Sequence, residues 1–229
     1  MTLDKVDAIR RTALFGKAGQ RELSAVAERA IVKHVRQGDC LFLEGARAEG
    51  LYVVVEGVIR AFRGSGEGRE QVIHVERAGA TIGEVPMFDN GTYPSTAAAE
   101  EDSIVLFIGK QDVHRLCMEH PQIALSALEV LAGRLRRAAG LIENLSLHEV
   151  DQRLARLLLE EAAYHGQPTY KGMVFELALT NPQIAARIGT VREVVSRALG
   201  RLQENDLIVV EGRRISIPNR AALEVYAGR

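Results

Sequence analysis

The sequence predicts an α+β chain in three parts: an N-terminal β-roll of the jelly-roll type, one long helix and a C-terminal winged helix-turn-helix. Three patterns predict this fold class. Apolar residues alternate with period two from Ile31 to about Ile108, and they recur in steps of four and three from Ala124 to Leu145. Two short helical patterns then follow, joined at Gly189 and succeeded by a hairpin pattern.

The length and the changes of period set the expected boundaries. A chain of 229 residues exceeds one typical domain, and its 47% of hydrophobic residues can bury a substantial core. We expect a β-domain at 1–120, a helix at 121–147 and a C-terminal domain at 148–229. In the β-domain, glycine and charged turns separate short β-rich segments. These segments are 41–43, 51–55, 58–62, 72–75, 97–99 and 104–108.

Composition restricts the compartment and the cofactors. The chain has two cysteines, Cys40 and Cys117, which excludes a disulfide framework and a four-cysteine iron–sulfur or zinc site. We expect both cysteines in the core. Residues 1–30 carry mixed charges without the apolar run of a secretion signal, and no segment approaches the roughly 18 apolar residues that span a bilayer. The expected location is the cytoplasm, with no membrane partner.

A seven-residue apolar repeat occupies the predicted long helix. A seam of this kind packs best against a like helix, so it predicts a homodimer. Its predicted interface residues are Leu128, Leu131, Leu135, Ala138, Ile142 and Leu145. An amphipathic helix packed on its own domain is the alternative interpretation of the same pattern.

The segment 180–214 has the residue types of a DNA-reading surface. Thr180-Asn181-Pro182 is a strong helix start, and a second helix is predicted from Val191 to about Glu204. Arginine side chains suit guanine, a glutamate accepts from cytosine N4, and arginines at a hairpin tip suit phosphate. The predicted DNA-binding residues are Thr190, Arg192, Glu193, Ser196, Arg197 and Arg201, with Arg213 and Arg214 in the wing.

Charge alone leaves another interpretation of this segment open. The formal net charge of the chain is −1, which argues mildly against a nucleic-acid partner, although 180–214 has six arginines against four acidic residues. The helix could instead be a solvated face in which Glu193 and Glu204 pair with the arginines. We favour the DNA-binding interpretation, because the capped first helix, the glycine and the wing occur together. We predict no enzymatic activity, since the chain has no glycine-rich phosphate loop, nucleophile elbow or metal-ligand set.

From about residue 14 to 218 the order of parts resembles the Crp/Fnr family of transcription regulators. The motifs that carry the resemblance are a glycine series at 45, 57, 79 and 83, the stretch 83–88 (GEVPMF), the helix start His120-Pro121, and 192–197 (REVVSR). The resemblance implies a cyclic-nucleotide-binding-like domain that senses an effector, allosteric control and a homodimer. It also implies an inverted-repeat DNA operator and RNA polymerase as partners.

The resemblance places the effector pocket at Gly83, Glu84, Ser95, Ala138 and Ala139. In family members that bind cAMP, an arginine stands where this chain has Pro94, and hydroxyl residues stand at Ala138 and Ala139. The lost charge-assisted phosphate contact argues against cAMP and for a Dnr/Fnr-like subgroup. Two cysteines cannot supply the iron–sulfur cluster of Fnr; haem stays open, although no histidine has ligand spacing. A β-domain without a ligand, with constitutive or partner-controlled DNA binding, is the alternative.

The recognition pattern fits two half-site classes of the family. Glu193, Ser196 and Arg197 match the Glu-x-x-Ser-Arg set of Fnr-like members, which implies a TTGAT-type half-site. Arg192, Glu193 and Arg197 also match the Arg-Glu-x-x-x-Arg set of cyclic-nucleotide members. Ser196 favours the Fnr-like assignment, with Glu193 on cytosine and Arg197 on guanine.

Overall fold

The computed structural model describes residues 3–66, 69–170 and 172–228. The chain forms two compact units, one made of residues up to Arg63 together with Ile73–Ala138, the other of Gly64–Val72 and the chain from Ala139 onwards. The first unit is a β-sandwich with short helices, and the second contains the helix-turn-helix. The predicted α+β fold class is confirmed.

Two antiparallel four-stranded sheets form the first unit, in the orders β1-β8-β3-β6 and β2-β7-β4-β5. Its strands are β1 (Ile31–Val35), β2 (Cys40–Phe42), β3 (Gly50–Glu56), β4 (Val58–Gly64), β5 (Glu70–Arg77), β6 (Thr81–Ile82), β7 (Thr96–Ala99) and β8 (Ser103–Gly109). Its helices are α1 (Lys5–Arg10), α2 (Gln20–Arg29), α3 (Pro86–Asp89), α4 (Lys110–Glu119) and the start of α5 (Pro121–Leu147). The sequence patterns did not separate out β1 and β6, because β1 is mostly exposed and β6 has two residues.

The sandwich core lies between the sheets and under α2 and α4. Leu51 and Val53 on β3 pair with Ile108 and Leu106 on β8, and all four side chains are fully buried. At the β3–β4 turn Gly57 has φ +90°, and a Cβ there would lie 2.1 Å from Ser103 Oγ, so the turn requires glycine.

An aromatic stack supports the turn that begins at Gly83. The rings of Phe42 and Tyr93 stack with centroids 3.8 Å apart, and the Tyr93 hydroxyl donates to the Gly50 carbonyl at 2.5 Å. Gly83 has φ +85°, and a Cβ there would lie 3.2 Å from Tyr93 and 3.3 Å from Phe42. A residue without a side chain therefore fits this corner, and the chain that follows places Glu84 in the interior.

The long helix α5 has 27 residues and is about 40 Å long at 1.5 Å per residue. Ile123, Ser126 and Ala127 near its start are buried in the first unit. Leu128, Leu135 and Ile142, spaced seven residues apart, are 62%, 72% and 66% exposed.

Over its described residues, the second unit combines the end of α5 and four further helices with an antiparallel sheet of order β11-β12-β10-β9. Its elements after α5 are α6 (Val150–His165), β9 (Gln167–Thr169), β10 (Gly172–Glu176), α7 (Asn181–Ile188), α8 (Arg192–Glu204), β11 (Val209–Glu211), β12 (Arg214–Ile217) and α9 (Arg220–Tyr226). A capping box of Thr180 and Gln183 starts α7, and Gly189 ends it at φ +67°. The expected helix start and glycine break are therefore found, whereas α9 was not predicted.

One of the two cysteines differs from expectation. Cys40 is exposed, so its assignment to the core was wrong; it lies at the start of the edge strand β2. Cys117 is half-buried against the core, and burial raises its pKa. Within the part of the chain that the structure describes, no helix is both long and apolar enough for a membrane span.

Candidate nucleic-acid interface and effector pocket

The second helix of the helix-turn-helix, α8, is amphipathic in the predicted sense. Val195, Ala198 and Leu202 are buried against the second unit, with exposures of 0% each. The opposite face is exposed and consists of Arg192, Glu193, Ser196 and Arg197. These four side chains are called the reading face below. Two cations, a carboxylate and a hydroxyl on one solvent-facing helix surface can contact base edges in a major groove.

One contact orients the hydroxyl of the reading face. Asn181, the first residue of α7, donates from Nδ2 to Ser196 Oγ at 3.0 Å. Ser196 in turn donates to the Arg192 carbonyl at 3.4 Å, which is a long hydrogen bond. The Asn181 amide occupies one acceptor site of the Ser196 hydroxyl. The hydroxyl proton can therefore turn from the Arg192 carbonyl to an acceptor on DNA. Sequence reasoning did not find this contact, because it treated Asn181 only as a helix cap.

Arg201 has a partner inside the unit. Its Nε and Nη2 atoms donate to the two carboxylate oxygens of Asp151 on α6, each at 2.5 Å. This hydrogen bonding to Asp151 is the largest cause of a raised Arg201 pKa. The bidentate pairing gives Arg201 a structural role that the sequence analysis did not predict, and its partner is Asp151 and not one of the two glutamates considered there.

The wing is the β11–β12 hairpin, which turns at Gly212 with φ +66°. Arg213 donates from Nη2 to the Ala178 carbonyl at 2.9 Å, yet its side chain is 66% exposed. Arg214 opens β12 and is exposed. Thr190 is half-buried between α7 and α8. The exposed guanidinium groups of the hairpin can contact phosphate.

In the first unit, the glutamate of the predicted effector pocket is bound by an arginine of α5. Glu84 is 2% exposed and accepts from Arg134 Nε at 2.5 Å. The same guanidinium binds Glu76 and donates to the Thr81 carbonyl at 2.6 Å, and its Nη1 lies 3.0 Å from His74 Nδ1. These residues, Arg134 with Glu76, Glu84 and His74, are called the arginine cluster below.

The electrostatics of the arginine cluster favour its charged form. Burial alone would raise the pKa of Glu76, but the His74 hydrogen bond and the charge of Arg134 lower it below its ordinary value. Burial would likewise lower the pKa of Arg134, and the two glutamates raise it. Arg134 was not among the predicted pocket residues; its position one turn before Ala138, which was, is the signal that it shares the pocket face.

The other predicted pocket residues differ in their placement. Gly83 lies at the corner before Glu84, Ser95 and Ala138 are half-buried, and Ala139 is exposed. Beside the arginine cluster lies a cavity of about 310 Å³. It is lined by Glu76, Thr81, Gly133, Arg134 and Arg137 among others.

The residues found here lack the cation that the resemblance assigns to a cyclic phosphate. The family's phosphate-binding arginine is replaced by the exposed Pro94, and the Arg134 guanidinium is already bound by two carboxylates and a carbonyl. An anionic phosphate placed beside Glu76 and Glu84 would be repelled by both. Among the described residues, no group of three His, Cys, Asp or Glu side chains is arranged to hold a metal ion.

Two family models match the β-domain and the C-terminal domain. A cyclic nucleotide-binding domain matches residues 32–120, and a Crp-like helix-turn-helix domain matches residues 152–226. The protein belongs to the Crp/Fnr family of transcription regulators. The resemblance derived from the glycine series and the REVVSR motif is confirmed.

Several relatives of this regulator cover most of its length. The fumarate and nitrate reduction regulatory protein of Escherichia coli is 28% identical over 207 residues, which are 90% of this chain and 82% of that protein. A Crp-family transcriptional regulator from Thermus thermophilus is 26% identical with a TM-score of 0.70, covering 86% of this chain and 97% of the other. A crp/fnr-family structure from Eubacterium rectale has a TM-score of 0.79 at 23% identity, covering 96% and 100%, which shows the fold alone.

Proposed function

We propose that this Crp/Fnr-type regulator acts as a homodimer that reads an inverted-repeat operator through the reading face of α8. The observation that supports the proposal is the exposure of Arg192, Glu193, Ser196 and Arg197 on a helix whose other face is buried. Glu193 accepts from a cytosine and Arg197 donates to a guanine, while Ser196 donates to a base or phosphate acceptor. The wing residues Arg213 and Arg214, with Thr190, contact phosphate.

The dimer forms along α5. Leu128, Leu135 and Ile142 expose apolar surface at one heptad position, while Leu131, Ala138 and Leu145 at the other are half-buried. A second copy of the same helix covers this seam with like residues. Such a dimer presents two copies of α8 to half-sites about 34 Å apart, one turn of DNA.

An effector other than a cyclic nucleotide controls the regulator, and the cavity beside the arginine cluster is its candidate site. The mechanism is a population shift, limited by the difference in effector affinity between the DNA-binding and non-binding arrangements. Constitutive or partner-controlled DNA binding is the second candidate, and the arginine cluster favours it because Arg134 already joins α5 to β5 and the Gly83–Glu84 turn. RNA polymerase is the proposed protein partner and the cytoplasm the location.

Selection of operator sequences from a random duplex pool, followed by affinity measurements, tests the proposal. Arg197→Ala is expected to cost about 1–3 kcal/mol of specific binding and to relax the base preference at one position of each half-site. Arg136→Ala, an exposed arginine of α5, is the matched control and leaves both unchanged. Failure of the wild-type protein to enrich any sequence at low salt would refute operator reading.

Ligand screening separates the two candidates for control. Cyclic nucleotides, haem and 2-oxoglutarate are added to operator-binding and thermal-unfolding assays with the wild-type protein. A shift of both affinity and melting temperature by one of them supports effector control. Tight operator binding that none of them changes supports the constitutive candidate.

A further inference from the structure

The first turn of α6 contacts the turn before the recognition helix and the last turn of that helix. α6 begins at Val150, just after α5 ends at Leu147. Two of its first four residues, Asp151 and Arg153, are buried, although charged residues are rarely buried without a specific partner. Their partners lie at opposite ends of the segment 189–204.

Asp151 holds the C-terminal part of α8. Its two carboxylate oxygens accept from Arg201 Nε and Nη2 in a fork-to-fork arrangement, at 2.5 Å each. Such a pair fixes direction as well as distance, because both parallel hydrogen bonds must be satisfied at once. The Asp151 side chain is 13% exposed and that of Arg201 is 45% exposed, so the carboxylate is the more shielded end of the pair.

Arg153 holds the turn that precedes α8. It is 8% exposed, and its guanidinium donates to the Gly189 carbonyl at 3.3 Å and to the His148 and Leu145 carbonyls at 3.1 and 3.3 Å. Gly189 packs closely on the end of α5, since a Cβ there would lie 2.6 Å from Leu145 Cδ2. One side chain therefore joins the end of α5, His148 just after it and the glycine of the helix-turn-helix.

We propose that Asp151 and Arg153 are positioning residues which fix the angle of the reading face relative to the end of α5, and that Arg201 serves this clamp instead of contacting DNA. The inference rests on the proposed function. Base readout requires side chains held within about 0.5 Å and 10–20° of the productive geometry. One anchor on the turn before α8 and one on its last turn limit the tilt of the helix more than either anchor alone. Arg153 also links the end of α5 to the turn that leads into α8.

Asp151→Asn distinguishes the clamp from a direct role of Arg201 at phosphate. If Arg201 bound phosphate, removing a nearby negative charge would leave operator binding unchanged or strengthen it, and Arg201→Gln would reduce the salt dependence of log K by about 0.9 for one contact. The clamp predicts instead that both variants discriminate less between the operator and altered sequences, while the dependence of log K on salt concentration stays the same. Both variants remove the same contact, between Asp151 and Arg201. The double variant should therefore lose no more discrimination than either single variant.

The test measures affinity for the selected operator and for the same operator with one base pair changed in each half-site, at several salt concentrations. The discrimination ratio is the affinity for the selected operator divided by the affinity for the changed operator. Asp151→Asn and Arg201→Gln are each expected to lower this ratio about 5- to 100-fold. Glu204→Gln, an exposed carboxylate at the end of the same helix, is the control and keeps the wild-type ratio. An unchanged ratio in Asp151→Asn overturns the proposal.

Hydrogen exchange in the absence of DNA provides a readout that does not depend on the proposed function. Asp151→Asn should raise amide exchange across 190–201 about tenfold or more, while exchange in the core strand β3 stays at its wild-type rate. Equal exchange in variant and wild type overturns the clamp even if the protein binds no DNA. Raised exchange in a protein that ignores every duplex supports the clamp and refutes the proposed function.

Discussion

Replacing Arg134 by alanine tests the arginine cluster most directly. The substitution leaves two carboxylates without their cation, and their side chains are only 3% and 14% exposed for Glu84 and Glu76. Removing one member of a buried ion pair costs about 3–5 kcal/mol, because the remaining charge stays buried without compensation. Among the residues that the structure describes, none donates a hydrogen bond to the buried Glu84 Oε2, so none of them replaces Arg134 at this carboxylate. We expect a loss at the upper half of that range.

Urea unfolding followed by near-ultraviolet circular dichroism measures this loss. Tyr52 and Tyr93 are 5% and 3% exposed in the first unit and report its packing. Arg136→Ala, two residues away and exposed, should change stability by no more than about 0.5 kcal/mol. Glu84→Gln combined with Arg134→Met removes the Arg134–Glu84 pair, leaves Glu76 beside His74, and should recover part of the loss. A change below about 1 kcal/mol in Arg134→Ala would show that the cluster is not a buried ion pair.

Three further predictions address the other contacts. The folded-state pKa of Glu76 is lowered from 4.5, so its contribution to stability is present above that value and is lost as the pH falls through the folded pKa. Glu76→Gln should therefore reduce the pH dependence of the urea midpoint below about pH 4.5, and an unchanged slope would contradict the pKa assignment. Leu135→Glu should shift sedimentation towards the monomer, while Arg136→Glu, its exposed neighbour, should not. Asn181→Ala should weaken discrimination at the base that Ser196 contacts by about 0.5–1.5 kcal/mol, the net value of one hydrogen bond, with no change at other bases. The same loss at every base would instead indicate a defect in helix packing.

Local patterns were sufficient for the helix-turn-helix because each of its determinants lies within a few residues. Thr180 and Gln183 form the capping box, and Gly189 adopts the left-handed conformation that few other residues tolerate. The apolar face of α8 follows from its period alone. The pairing of Arg201 with Asp151 joins residues 50 positions apart, and no local pattern encodes that distance.

In the β-domain, too, local patterns predicted the regular elements but not the contacts between distant residues. Alternation predicted most strands, but β1 was missed since its residues are mostly exposed and its pattern is weak. The resemblance singled out Glu84 and named the side chains that this sequence lacks, such as an arginine at Pro94. It could not show that Arg134 fills the space near Glu84, because three segments of chain meet there. Cys40 was assigned to the core by residue type alone, and its edge strand leaves it exposed.

The arginine cluster sets a quantitative condition on effector control. An effector that displaced Arg134 from Glu84 and Glu76 would have to offset about 3–5 kcal/mol of buried ion pairing. At roughly 1.4 kcal/mol per tenfold, a ligand with an intrinsic Kd of about 1 nM would then bind with an apparent Kd in the micromolar range. An effector that bound in the cavity beside the cluster and left these side chains in place would avoid this cost. Control by a small molecule therefore favours a ligand that keeps Arg134 paired with both glutamates. Binding of such a ligand should be weakened in Arg134→Ala, because Arg134 lines the cavity, and should persist in Arg136→Ala.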